Sequence, residues 1–282
     1  TGLIFNRPHS PMTTFSGDLY SKQTVLKPNF AALIVDLFIK AGLSKGDTIA
    51  VGLTGSMPGA NIALFSACEA MGIVPAIITS VGASEWGATD PDFTWLDLES
   101  ILYANNVVSN QSIAASLGGR NDEYKEKKIG KIIYGGAVGK QLAKAAIARH
   151  GLKELFKVNN RKSSYKNFIN GRNLNNYSVY VNIGGGVSSM GVGGNKLLDN
   201  KTGIIYPDEI ISNSLDHSMV REFADVGVKL INIQNIPRLI KDDFGNELIR
   251  FGGEKDITGE GLLFYSESYT LWTTMLALLL II

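Results

Sequence analysis

The chain has 282 residues, 45% of them hydrophobic, enough for one large core or two modest ones. Its 27 Lys plus Arg are balanced by 26 Asp plus Glu, which excludes the basic excess typical of nucleic-acid binding, so no nucleic-acid partner is expected. A lone Cys68 excludes an internal disulfide, and with His9, His150 and His217 it makes no zinc ligand set.

Residues 1–28 carry Pro8, Pro11 and Pro28 and read as an extended N-terminal arm. Asn29 is placed to cap a helix over 30–41, where Phe30, Leu33, Ile34, Leu37 and Phe38 form a helical apolar stripe ended by Gly42. A strand over 48–53 then leads through the turn Gly52-Leu-Thr-Gly-Ser-Met-Pro-Gly59 into a helix over 60–71 and a second strand over 74–80. Both strands are continuous apolar runs, the mark of parallel strands covered on both faces. A strand–helix–strand order of this kind makes a right-handed crossover.

A long turn over 81–92 precedes a helix over 91–104, with Asp90 as cap and Pro91 at the first helical position. Beyond it come a short strand near 112–116, a charged surface loop over 120–128 and a strand over 131–134. Gly135–Gly139 is a second glycine-rich turn, followed by a helix over 138–150 with Leu142, Ala145 and Ala146 facing inward. The polar stretch 151–177 reads as a module boundary or an inserted surface segment. A strand over 178–183 opens a third glycine-rich turn, 184–194; a helix over 214–226, a strand over 228–233 and a short helix stopped by Gly245 complete the pattern.

This order predicts an α/β fold: a mostly parallel, Rossmann-like sheet with helices on both faces. Gly-Ser-Met-Pro-Gly at 55–59 is echoed by Ser-Ser-Met-Gly at 188–191, as two similar halves would produce. The expected organisation is an arm over 1–28, a first α/β module over 29–150, a second over 151–270 packed on it, and an apolar segment over 271–282. That last segment is shorter than the roughly 20 residues a spanning helix needs, so it reads as a buried terminal helix or the start of a membrane anchor.

Chemistry concentrates in three stretches. The first turn combines glycines, which let a ligand approach the backbone, with the hydroxyls of Thr54 and Ser56 near a helix N-terminus, an arrangement that attracts anions. It lacks the Lys of a P-loop, the G-x-G-x-x-G of a dinucleotide fold and the G-x-S-x-G of a nucleophile elbow, and no cofactor is expected. In the third turn, Gly184, Gly185 and Gly186 precede Ser188 and Ser189. If both strands share one parallel sheet, both turns open at its carboxyl edge, where open α/β sheets bind ligands. Gly55 belongs to the same proposed anion site, with Trp86 and the loop to Asp97 as its wall.

The third stretch holds Glu85, Asp90, Asp92, Asp97 and Glu99 beside Trp86 and Trp95. It can be read as a metal or acid/base cluster, or as helix capping; no metal is expected. The catalytic candidates are Ser56 as nucleophile, or the Asp90/Asp92 pair as acid and base. His217 stands beside Asp216 and Ser218, neighbours on one element, from which no triad follows.

The runs Gly52-Leu-Thr-Gly-Ser-Met-Pro-Gly-Ala-Asn-Ile-Ala63 and Ser80-Val-Gly-Ala-Ser-Glu-Trp-Gly-Ala-Thr-Asp-Pro-Asp-Phe-Thr-Trp-Leu-Asp97 resemble a bacterial family, the poly-γ-glutamate system protein. Ala114-Ala-Ser-Leu-Gly-Gly119 and Asn182-Ile-Gly-Gly-Gly-Val-Ser-Ser189 resemble it too, so the likeness spans most of the chain. It implies a membrane-associated envelope protein with an extracytoplasmic soluble domain, an apolar segment ahead of Thr1, and a role in poly-γ-glutamate biosynthesis or export. The implied partners are poly-γ-glutamate or a γ-glutamyl precursor and membrane subunits of the same system. The resemblance assigns no catalytic residue. Three functions are therefore expected in order: an accessory component binding a γ-glutamyl anion, a hydrolase or transferase of γ-glutamyl or related amide bonds, and a scaffold for membrane partners. Few lysines or arginines stand near the glycine turns in sequence, which argues against an acidic ligand unless the fold imports them.

Overall fold

A computed structural model of the chain describes residues 3–5, 9–191, 198, 200–210 and 217–244. The apolar segment 271–282, the Gly245 stop, residues 192–194 of the third turn and the start of the helix expected at 214 lie outside the described residues.

The N-terminal arm is structured where an extended segment was expected. It carries β1 (Thr13–Phe15) and α1 (Leu19–Thr24), started by Asp18, whose carboxylate accepts the Ser21 N–H at 3.0 Å. α2 (Pro28–Lys40) buries the expected stripe of Phe30, Leu33, Ile34, Leu37 and Phe38. Its cap is Lys27, not Asn29: Pro28 takes the first helical position, where its missing N–H is no loss, and draws Asn29 inside the helix.

β2 (Thr48–Thr54), α3 (Pro58–Met71) and β3 (Val74–Ser80) form the expected crossover. β4 (Ala83–Ser84) pairs parallel with β1 and ties the arm to the sheet edge. α4 (Trp95–Ala104) starts later than expected. Asp97 accepts the Thr94 N–H at 2.7 Å and makes Thr94 the cap, whereas the Asp90 carboxylate takes the N–H of Asp92 at 3.0 Å in a local turn.

β5 (Ser112–Ser116) is followed by an antiparallel hairpin of β6 (Lys127–Ile129) and β7 (Ile132–Tyr134). α5 (Ala137–Arg149) buries Ala143, Ala146 and Ile147; Ala145 faces outward, contrary to expectation, because the inward stripe is set one position off. β8 (Glu154–Leu155) and α6 (Val158–Phe168) occupy the polar stretch read as a boundary or surface insert. α6 is half-buried or exposed along most of its length but turns Arg161 and Tyr165, one helical turn apart, into the interior. β9 (Val179–Ile183), the single turn α7 (Val187–Met190), β10 (Gly203–Ile205), α8 (Met219–Ala224), β11 (Lys229–Ile233) and α9 (Ile236–Phe244) follow.

Seven of the described strands make one sheet in the order β10-β11-β9-β2-β3-β5-β8, parallel throughout except for β10 at one edge. Both expected modules share it, since β9 pairs directly with β2, Gly52 opposite Asn182. One face buries Ile49, Val51 and Ile77 against α2, α3 and α4, together with Cys68. Burial, with a smaller contribution from Glu69, pushes the Cys68 thiol up to about 12. The opposite face buries Ala50, Ala76 and Ile78 under Tyr165, Tyr177, Tyr180 and Phe223, with Tyr180 and Phe223 stacked at 4.7 Å. This is a doubly wound, Rossmann-like α/β fold. From β2 the chain winds outward through β3, β5 and β8, then returns to build β9 and β11 on the other side. The direction therefore switches between β2 and β9, which is where such sheets open a crevice.

Candidate functional site

The first and third glycine-rich turns meet at that crevice. Gly184 has a left-handed φ of +94°, and a Cβ on it would lie 2.7 Å from Thr54 Cγ2. Two residues before Thr54, a Cβ on Gly52 would lie 2.7 Å from the Tyr180 hydroxyl and 3.4 Å from Ser189 Oγ. Glycine is required at both positions because the two turns pack backbone against side chain. Above them opens a cleft of about 1060 Å³. Of the residues singled out in the sequence, Thr54, Ser56, Gly184, Gly185, Gly186 and Ser189 line it.

Gly55, Trp86 and Ser188 do not. Gly55 is packed against Val81, whose carbonyl would lie 2.5 Å from an added Cβ. Ser188 sits beneath the floor and donates its hydroxyl to Asp122 Oδ2 at 2.7 Å. Trp86 holds a turn with φ +65° outside the cleft lining. The wall expected from 86–97 is built instead by the N-terminal arm (Phe15, Gly17, Asp18, Lys22) and by Arg120, Lys127 and Lys128. The carboxylates of 85–99 are dispersed: Asp97 binds Arg149 at 2.7 Å and His150 at 2.9 Å, while buried Glu99 accepts the Ser112 N–H and hydroxyl. Among the described residues no group of three or more His, Cys, Asp or Glu is arranged to hold a metal ion.

The floor is a buried polar network centred on Asp122. Its Oδ1 accepts the Ser116 hydroxyl and the Gly118 N–H, both at 2.8 Å, and its Oδ2 accepts Arg161 Nη2 and Ser188 Oγ, both at 2.7 Å. Burial works against the Arg161 charge, yet Asp122 opposite outweighs it, and the guanidinium lies above its ordinary pKa. Arg161 Nε and Gln234 Oε1 are buried without a partner, and both residues line the cleft. Buried polar atoms of this kind are normally satisfied, so two orphans at one opening point to a group that enters it. A second chain of hydrogen bonds runs from the Tyr180–Ser189 hydroxyl pair (2.5 Å) through Asn182 to Asn232, fixing the base of the third turn.

The cations missing beside the glycine turns in sequence arrive from elsewhere in the chain. Lys22 comes from α1, Arg161 from α6, Arg120 from the loop after β5, and Lys127 and Lys128 from the β6–β7 hairpin. Against these five stand Asp18 and Glu126. The amides of Gly185 and Gly186 also line the cleft and have no backbone acceptor among the described residues. The whole lining is thus rich in hydroxyl, amide and cationic donors, a composition that receives carboxylates or phosphates.

Lys22 is 4% exposed. Its Nζ donates to the Ser56 carbonyl and lies 2.8 Å from Ser84 Oγ. Burial pulls its pKa down to about 8, a nearby Asp18 only partly opposing the shift. Ser56, the nucleophile candidate, instead uses its hydroxyl to accept the Ser84 N–H at 2.9 Å, and among the described residues that hydroxyl makes no hydrogen bond to a side-chain base. The Asp90/Asp92 pair does not line the cleft, and Ser218 caps α8 by accepting the Arg221 N–H at 3.2 Å. Sequence reading missed Lys22, Ser84, Asp122 and Arg161. The i, i+4 placement of Arg161 and Tyr165 in a polar stretch was a faint signal for one inward face; Lys22 carried none.

Comparison of the chain with protein-family models, with curated proteins and with solved structures finds no match. Fold and cleft define the class: a doubly wound α/β protein with a donor-rich cleft at its topological switch point.

Proposed function

We propose that this protein is an accessory component of poly-γ-glutamate biosynthesis or export that binds an acidic γ-glutamyl chain in the cleft. The observation that carries this reading is the convergence of five cationic side chains on two glycine-rich turns, around one opening where the Arg161 Nε donor is unpartnered. Each γ-glutamyl unit presents one carboxylate, and an extended chain lying along the opening meets Arg120, Lys127 and Lys128 at the rim and Lys22 and Arg161 deeper down. The resemblance of residues 52–63 and 80–97 to the poly-γ-glutamate system protein supplies the identity of the anion. It also underlies the remainder of the proposal, a domain held at a bacterial membrane beside membrane subunits of the same system. Among the described residues no helix is long and apolar enough to cross a membrane, so attachment in this proposal comes from another part of the chain.

Titration calorimetry with γ-glutamyl oligomers of defined length tests the reading. Wild type should bind, more weakly as salt rises. A variant with Arg120, Lys127 and Lys128 all changed to Gln should bind about tenfold more weakly, about 1.4 kcal/mol. Equal affinity in both proteins, or equal affinity for a neutral oligomer, overturns it.

A further inference from the structure

Ser84 and Lys22 face one another across the mouth of the cleft, 62 residues apart in sequence and 2.8 Å apart in space. We propose that they form a nucleophile–base pair that hydrolyses an amide bond of the chain held in the cleft. The identity of that chain as γ-glutamyl rests on the reading above; the pair itself rests on separate geometry.

Four observations carry it. First, the amine is buried while the hydroxyl it contacts is half-buried and lines the cleft, so a substrate reaches the nucleophile and water does not surround the base. Second, the Lys22 amine donates to the Ser56 carbonyl; in its neutral form that bond leaves the lone pair for the Ser84 hydroxyl. A low-dielectric site favours the neutral form, in line with an amine pulled down to about 8. Third, Ser84 stands at the end of β4, pinned by β1, ahead of Trp86, which is held at φ +65°, a costly conformation for an aromatic residue. Fourth, Ser56 Oγ accepts the Ser84 N–H at 2.9 Å, which fixes the backbone of the nucleophile and leaves the Ser56 hydroxyl hydrogen available to a ligand group beside it.

The step balances with water as the second substrate. Ser84 Oγ bonds to the amide carbonyl carbon as its proton passes to Lys22 Nζ. The tetrahedral intermediate collapses, the C–N bond breaks, and the Lys22 ammonium returns that proton to the leaving amine nitrogen. Water then attacks the Ser84 ester, again losing a proton to Lys22, which hands it to Ser84 Oγ as the ester C–O bond breaks and the new carboxyl group leaves. The charged groups near the pair are Asp18, beside Lys22, and Glu85, whose carboxylate binds the Tyr134 hydroxyl, the Gly17 N–H and the His9 ring.

A fluorophosphonate probe, with the adduct located by mass spectrometry, tests the pair. The expected result is labelling at Ser84, with a rate rising through about pH 8. Lys22→Arg, which keeps a cation but cannot act as a neutral base, should slow labelling at least 100-fold. If that variant does not fold, Ser84→Cys replaces it: alkylation by iodoacetamide should show a thiol titrating below its ordinary range. Labelling elsewhere, labelling of Lys22→Arg at the wild-type rate, or an unperturbed thiol in Ser84→Cys overturns the proposal. A parallel arm incubates γ-glutamyl oligomers with the protein. Shortening by wild type, with Ser84→Ala binding but not shortening, supports both readings. Oligomers that bind and stay intact overturn the hydrolytic step. Oligomers that never bind, beside Lys22-dependent labelling of Ser84, overturn the polymer reading and support the pair.

Discussion

Replacing Asp122 by Asn tests the floor of the cleft. The change keeps the volume, and Asn tolerates the left-handed φ of +58° at this position, so charge and donor pattern alone are altered. Asp122 accepts four hydrogen bonds, two of them from donors that cannot turn round: the Gly118 N–H at 2.8 Å and Arg161 Nη2 at 2.7 Å. The new amide must set its NH₂ against one of these two. In either orientation a guanidinium whose side chain is 3% exposed loses its counter-charge; facing Gly118, the amide also leaves a buried N–H without its acceptor, and facing Arg161 it sets donor against donor. Removing one partner of a buried pair costs about 3–5 kcal/mol. The expected loss is therefore about 3–5 kcal/mol, seen as a lower urea midpoint with unchanged slope by circular dichroism. Adding Arg161→Met to Asp122→Asn should recover part of it, because the uncompensated charge disappears. A loss below about 1 kcal/mol, or no recovery in the double variant, refutes the account of the floor as a coupled buried pair.

Other outcomes follow from named groups. Burial raises Glu99 to about 7 although the Ser112 N–H and hydroxyl donate to it. Its native form thus holds a proton that the unfolded chain has lost above about pH 4.5. Stability should fall by about 3 kcal/mol between pH 4.5 and 7, and Glu99→Gln should remove that slope in urea titrations run across the range. Lys22 behaves in the opposite sense: its folded pKa lies below its unfolded one, so its contribution to stability should rise by about 3 kcal/mol between pH 8 and 10.5, read as wild type minus Lys22→Met. Gly184→Ala places a methyl 2.7 Å from Thr54 Cγ2 at φ +94° and should cost about 1–3 kcal/mol in midpoint shift. Thr54→Ser in that background removes the clashing methyl but not the backbone strain, so a partial rescue is expected, and its absence would refute contact between the two turns.

The sheet was legible because its strands are local signals. Val74–Ser80 and Ser112–Ser116 are bounded by turns and need no distant partner to be recognised. The strand order was not legible: the rule that parallel strands need crossovers leaves open on which side of β2 the later strands add. Edge features escaped: β10 pairs antiparallel with β11, and β1 finds β4 about 70 residues later. The site was half legible for the same reason. Glycine-rich turns announce themselves in sequence, whereas Arg161 is an inward residue only because Asp122, 39 positions earlier, meets it. In isolation its helix, Val158–Phe168, reads as polar surface. Lys22 is the extreme case: its partners lie 34 and 62 positions away, and nothing in its own neighbourhood distinguishes it from a solvated lysine. Helix starts failed on competition between neighbours, with Pro28 displacing Asn29 and the Thr94–Asp97 pair displacing Asp90.

Cys68 has a practical consequence. Its side chain is 1% exposed on the inner side of α3 and burial pushes its thiol up to about 12, so the native protein should be silent to thiol reagents at neutral pH. A reagent can reach it only when α3 leaves the sheet. The rate of its modification under native conditions therefore clocks the opening of the core, with no dye or engineered reporter added. For variants such as Ser84→Cys the same silence provides a dark background: in the folded protein, a fast-reacting thiol must be the new one.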